Sequence, residues 1–304
     1  MKEKRGTIIK KDLRRNWVLY LMVLPVIVWY ILFCYKPMYG ALIAFQDYRP
    51  AQGFGVNWVG LKHFIRFFEN PFLGRLLRNT VLISLYNLLF GFPMPIILAL
   101  LFNEVKSKKF KNVTQTFMYL PHFISMVVVC GMITQFCLTT GLFNNIIEFF
   151  GGEATPLLQR PELYRTIYVA SNVWKNFGWD SIIFVAALAG VDTQLYDAAR
   201  VDGAGRWKQM LHVTLPSIMP TIIIMLILKI GGMMSVGYEK TLLLYNETIY
   251  ETADIISTYV YRVGLMDKQY SYASAVDLFN SAVNILLVVS ANKISKKVSE
   301  TSLW

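Results

Sequence analysis

Apolar residues along this chain gather in blocks, and block length is the most informative feature of the pattern. Residues 79–102 run 24 positions without a charge, and residues 113–138 run 26. At ~1.5 Å of rise per residue, a helix of either length crosses a hydrocarbon layer about 30 Å thick. Residues 17–35 make a 19-residue block. Three more blocks, 167–191, 214–234 and 271–291, are apolar but carry ionisable side chains. The pattern predicts an all-α integral membrane protein of about six transmembrane helices. Pro25, Pro93, Pro95 and Pro121 fall inside the blocks. Such prolines kink helices, and neighbouring helices satisfy the freed carbonyls. The first block follows a basic stretch, as in a signal peptide. It is longer than a typical signal core, and Lys36-Pro37-Met38 has no small-residue cleavage pattern, so it reads as a retained span.

Composition agrees. Charged residues make up 16% of the 304, against about 25% in an ordinary soluble domain. A net charge of +11 could suit nucleic acid, but the basic residues flank apolar blocks instead of lining one polar face. They cluster in the N-terminal segment (Lys2, Lys4, Arg5, Lys10, Lys11, Arg14, Arg15), between spans two and three (Lys106, Lys108, Lys109, Lys111), between spans four and five (Arg200, Arg206, Lys208) and in the tail (Lys293, Lys296, Lys297). Six spans put all four segments on one side, and the positive-inside rule makes that side, with both termini, cytoplasmic. Arg75 and Arg78, just before span two, run against the rule. The division expected is a basic cytoplasmic N-terminus (1–16), a first helix with its external segment (17–78), a core of five helices (79–293) and a cytoplasmic tail (294–304). Whether 139–166 is helix or loop stays open.

The loop at 192–216 carries the clearest signal. Asp192 can cap a short helix, with Leu195, Ala198 and Ala199 on its apolar side. Gly203 and Gly205 break that helix, and Pro216 suits the first turn of the next. Asp197, Arg200, Asp202 and Arg206 offer charged contacts around a face of small residues. The product is a rigid docking knob for a cytoplasmic partner.

This stretch resembles the EAA loop of permeases in binding-protein-dependent ABC importers: E-A-A, three residues, Gly, nine residues, then aliphatic-x-Leu-Pro. Here the pattern falls on Asp197-Ala198-Ala199, Gly203 and Val213-x-Leu215-Pro216. Asp in place of Glu keeps the charge with one methylene less reach. The resemblance implies a type I importer (MetI-like) bundle whose coupling loop, including Arg200, Asp202 and Arg206, sits in a cleft of an ATP-hydrolysing subunit. The Tyr-rich stretch from Tyr238-Glu239-Lys240 to Leu278-Phe279-Asn280-Ser281 is similar to the LplB-like carbohydrate branch, found mostly in Gram-positive bacteria. Asp277 stands where that branch usually has a small residue. Together the two resemblances imply a plasma-membrane permease for oligosaccharides or polysaccharide fragments. Its implied partners are a second, different permease, two ABC ATPase subunits and an extracellular lipid-anchored solute-binding protein, with membrane lipid around it and no nucleic acid. ATP and Mg would be held by the ATPases, since no G-x-x-x-x-G-K-[ST] loop occurs in this chain.

Ionisable groups at membrane depth are costly and are functional candidates by default. Lys175, Asp180, Lys229 and Asp277, from three spans, predict a polar cavity opening outward. Asn172, Trp174, Trp179 and Asn280 would add hydrogen-bonding groups and aromatic faces suited to sugar hydroxyls and C–H faces. The competing structural reading pairs Lys175 with Asp180 and Lys229 with Asp277. His63, His122 and His212 are scattered, and Cys34, Cys130 and Cys137 lack ligand spacing, so neither a catalytic nor a metal site is expected. The alternative function is a secondary transporter or channel driven by an ion gradient.

Overall fold

The computed structural model describes residues 12–299 and 301–304; Lys2, Lys4, Arg5, Lys10 and Lys11 lie outside them. Among the described residues there is no strand, only an isolated bridge between Gln46 and Trp58. Four helices are long and apolar enough to cross a membrane: Trp17–Phe45 (span one), Leu73–Glu104 (span two), Arg206–Gly231 (span five) and Tyr270–Ser299 (span six). Among the described residues, counting each of two bent pairs as one span raises the number to six. Lys108–Phe123 and Met126–Phe136 meet at 94° and form span three; Pro161–Ala189, span four, meets Thr193–Val201 at 70°.

Most block boundaries move outward from those the hydrophobic pattern predicts. Span one continues beyond residue 35 to Phe45, because Tyr39–Phe45 extends it as an apolar 3₁₀ turn. The following Tyr48 N–H donates to Ser271 Oγ on span six at 2.9 Å. Residues 113–138 are not one straight helix. Pro121 sits in a 3₁₀ turn at the break, and Ser125 starts the second half by accepting from the Val128 N–H. The open segment 139–166 contains the helix Leu142–Phe149 and the start of span four at Pro161.

Prolines are accommodated in a recurring way. Pro37, Pro93 and Pro216 each closely follow a π-helical turn, at Tyr30–Tyr35, Asn87–Gly91 and Met210–Thr214. A wider turn relieves the ladder where proline has no N–H to donate and crowds the preceding turn. Pro216 sits in the first turn of the α-helix Leu215–Gly231, as its sequence context suggested, but that helix is joined through the π turn to Arg206–Gln209. The proline thus lies well inside the continuous helix Arg206–Gly231.

Span two shows why these helices bury the face they do. In its first half, Leu73–Tyr86, the buried residues are Leu76, Asn79, Thr80, Ile83 and Ser84, at the three-and-four spacing of a single helical stripe. The stripe meets the segment 250–262, where the short helices Tyr250–Ala253 and Ile256–Tyr261 flank Asp254 and Ile255. There the fully buried Asp254 carboxylate pairs with Arg75 at 3.2 Å and Arg262 at 2.8 Å. Asn79 Nδ2 donates to the carbonyls of Glu251 and Asp254, and Arg78 to that of Glu251. The two arginines that ran against the charge rule are thus inside span two, held by protein acceptors. In span one, by contrast, none of the apolar window is buried within the chain.

Candidate functional site: the 192–216 loop and a membrane-depth cavity

The loop between spans four and five is built by local chemistry. Asp192 accepts from the Gln194 N–H at 2.9 Å, capping the helix Thr193–Val201. The helix stops at Gly203, whose φ of +74° is left-handed backbone that a side chain strains. Ala204 N–H donates to the Ala199 carbonyl and Gly203 N–H to that of Arg200, the paired bonds of a Schellman stop. Gln209 Nε2 closes on the Ala204 carbonyl, and the Tyr196 and Thr214 hydroxyls meet at 3.1 Å. That last contact ties the short helix to span five. Asp197 and Arg200 pair at 2.8 Å in full exposure, an interaction worth no more than a few tenths of a kcal/mol.

The knob is uncovered. Leu195, Val201, Trp207 and Leu211 are all exposed, Val201 at 88% and Trp207 at 75%. Val201 and Trp207 were not among the candidate residues. The signal for Trp207 was a large aromatic between Arg206 and Lys208, where a solvated loop has no use for one.

The eight membrane-depth candidates do not form one site. Asn172 and Lys229 line a cavity of about 340 Å³ with Ser84, Asn87, Glu239 and Lys240. Asn172 Nδ2 donates to Asn87 Oδ1 at 3.0 Å. Asp180 lies 3.9 Å from Lys229, linking spans four and five, so neither pairing foreseen from the sequence is the one formed. Lys175 is buried, and its ammonium donates to the carbonyls of Pro121, His122 and Ile124. It closes the open end of Lys108–Phe123 at the 94° break, where helix carbonyls lack partners and a cation is favoured. Trp179 stacks on His122, with centroids 4.5 Å apart. Trp174 lines a separate apolar groove with Met132, Phe136 and Phe143. Asp277 opens into a cleft of about 650 Å³ beside Gly40 and Ala41 of span one. Asn280 is buried with Oδ1 unpartnered.

Sequence reasoning missed Lys240 in the cavity. Its amine is buried, donates to the Tyr168 carbonyl at 2.8 Å and lies over the Tyr168 ring. It belongs to a stretch that reads as an outer loop, and only the fold packs the short helix Tyr238–Leu244 on Met126–Phe136 of span three and brings Lys240 to Tyr168 of span four.

Residues 91–298 match the family described as "Binding-protein-dependent transport system inner membrane component". The chain belongs to that family. Membership sets aside the ion-gradient alternative. The match begins within span two and leaves out span one, whose apolar window buries nothing within the chain. Among this permease's relatives is the polygalacturonan/rhamnogalacturonan transport system permease protein YteP of Bacillus subtilis (strain 168), 47% identical over all of this chain and 95% of that protein. LplB of the same organism is 45% identical over 96% and 92% of the two chains. A crystal structure of a bacterial ABC transporter involved in importing the acidic polysaccharide alginate superposes with a TM-score of 0.88 at 44% identity, over 96% of this chain and 99% of that one. A bacterial alginate ABC transporter has also been crystallised with its alginate pentasaccharide-bound periplasmic protein, and it superposes with the same score and identity.

Proposed function

We propose that this permease forms half of the translocation pathway of an ATP-driven importer of oligosaccharides or polysaccharide fragments. The observation that carries the reading is the knob at 192–216. A short helix with a fixed start and stop, tethered to span five and exposing Val201 and Trp207, has the form of a surface that another protein covers. That protein is an ATPase subunit, present in two copies and holding ATP and Mg, while this chain catalyses nothing itself. A second, homologous permease supplies the other half of the pathway, and an extracellular lipid-anchored protein delivers the sugar. The complex sits in the plasma membrane of a Gram-positive bacterium with both termini of this chain in the cytoplasm. The similarity to YteP and to the alginate importer supports carbohydrate as cargo. The 340 Å³ cavity, with amide, hydroxyl and ammonium groups from spans two, four and five, has the mixture that sugar hydroxyls require.

Purification of the C-terminally tagged chain from its native membrane tests this. A second permease and an ATPase should copurify, and reconstituted vesicles should take up oligosaccharide only with ATP. Purification alone, or ATP-independent uptake, would refute the reading.

A further inference from the structure

A second polar cleft lies away from both parts of the site described above. It has a volume of about 790 Å³, within the usual ~300–1,000 Å³ of ligand pockets, and lies between the start of span two and the segment 250–272. Three guanidinium groups line it, each with its central carbon over an aromatic ring: Arg66 over Tyr272 at 4.5 Å, Arg75 over Phe72 at 4.7 Å and Arg262 over Tyr250 at 4.9 Å. A guanidinium over a ring can still donate from its N–H groups; Arg75 and Arg262 direct some of theirs to Asp254.

Part of the hydrogen-bonding capacity of this cleft is unspent, in both senses. Arg75 Nε and Gln269 Oε1 are buried without a partner, a donor and an acceptor on the same wall. Buried polar atoms of this kind are rarely left unpaired, and each costs ~1–3 kcal/mol unless something outside the chain completes it. Arg66 adds donors, and Glu69 and Asp267 add acceptors; none of the three forms an ion pair among the described residues. With Asp254 behind Arg75 and Arg262, the charges around the cleft balance. A purely anionic ligand, such as a phosphate headgroup or an acidic protein patch, would use the donors and be repelled by Glu69 and Asp267. A ligand whose groups each donate and accept uses every one of them, and hydroxyls do that.

We propose that this cleft is a sugar-binding station separate from the membrane-depth cavity, recognising the hydroxyl groups of an oligosaccharide end. The proposal rests on the function proposed above, including its orientation. With the termini in the cytoplasm, the starts of spans two and six face outward, so the station receives the glycan before it enters the membrane.

The test uses the whole importer in lipid nanodiscs without its binding protein. Saturation-transfer NMR is recorded with tri-galacturonate and with maltotriose, for wild type and for the double variant Arg66→Ala, Gln269→Leu. Arg75 is left intact because it holds Asp254. The expected result is transfer to both trisaccharides, with affinities within tenfold of each other, and at least a fivefold loss in the variant. Affinity for the binding protein should change less than twofold. Absence of transfer in wild type, or transfer undiminished in the variant, would overturn the station. Transfer to tri-galacturonate alone would make it an anion site and overturn the hydroxyl assignment. Weakened capture of the binding protein with unchanged sugar signal would make it a protein-docking surface. ATP-driven uptake by the same wild-type preparation is scored separately. Uptake without transfer removes the station only, whereas an assembled complex with no ATP-driven uptake removes the proposed function.

Discussion

At the scale of single residues, two positions carry unusual weight. Gly203 has open space around it, so a methyl group there meets nothing; the cost lies wholly in its positive φ. Gly203→Ala should therefore fray the end of the 193–201 helix by about 1–2 kcal/mol. We expect ATPase capture to fall severalfold, read by pull-down, and Gly203→Pro, whose ring forbids positive φ, to abolish it. Undiminished capture by both variants would show that the stop does not position the knob. Asp254 is the second. Its carboxylate is fully buried between two arginines and also accepts from the Thr258 hydroxyl. Asp254→Ala should cost about 3–5 kcal/mol by leaving guanidinium charge uncompensated, seen as a large drop in detergent thermal stability. The first role was legible before folding and the second was not. Gly203 could be read as a helix breaker, but Asp254 looked like one more polar residue in an outer loop.

At the scale of elements, spans three and four behave as a unit. The ammonium of Lys175 holds the carbonyls at the bend of span three, and Gly178 lets the Met118 carbonyl approach so closely that a Cβ would collide with it. Gly178→Ala should push the helices apart and lower stability by about 1–3 kcal/mol, as overpacking does. Lys175→Met should destabilise the permease by ~1–3 kcal/mol through carbonyls left unsatisfied, with substrate preference unchanged. A stable Lys175→Met protein with altered sugar range would instead restore Lys175 to the substrate pathway. The sequence located this lysine at membrane depth and showed that it needed partners. It could not show that those partners are backbone carbonyls, because the bend that frees them arises only when Pro121 and Ser125 interrupt the helix.

For the whole molecule, the testable quantity is orientation. With Cys34, Cys130 and Cys137 replaced by serine, a single cysteine at Ser302→Cys should react with a membrane-impermeant maleimide only in inverted vesicles. Labelling in intact cells would reverse the topology and place the 192–216 knob outside, away from any ATPase. Span one bears on the same scale. Only its end at Tyr39–Phe45 packs on span six; its apolar window is unburied within the chain and lies outside the family match, so lipid or another subunit must cover that window.

What the sequence determined by itself is whatever depends on runs and local spacing. Apolar blocks long enough to cross a bilayer must be helical there, because lipid offers the backbone no hydrogen bonds. The Asp192 cap, the Gly203 stop and the 197–216 spacing are equally local. Tertiary structure alone decided which distant polar groups meet. Asp180 faces Lys229, Lys175 turns to span three, Lys240 enters the cavity from an apparent loop, and Asp277 looks toward span one. A charge in a span must find a partner, but which partner depends on the rotation and bending of each helix, and those are set by contacts between spans far apart in the chain.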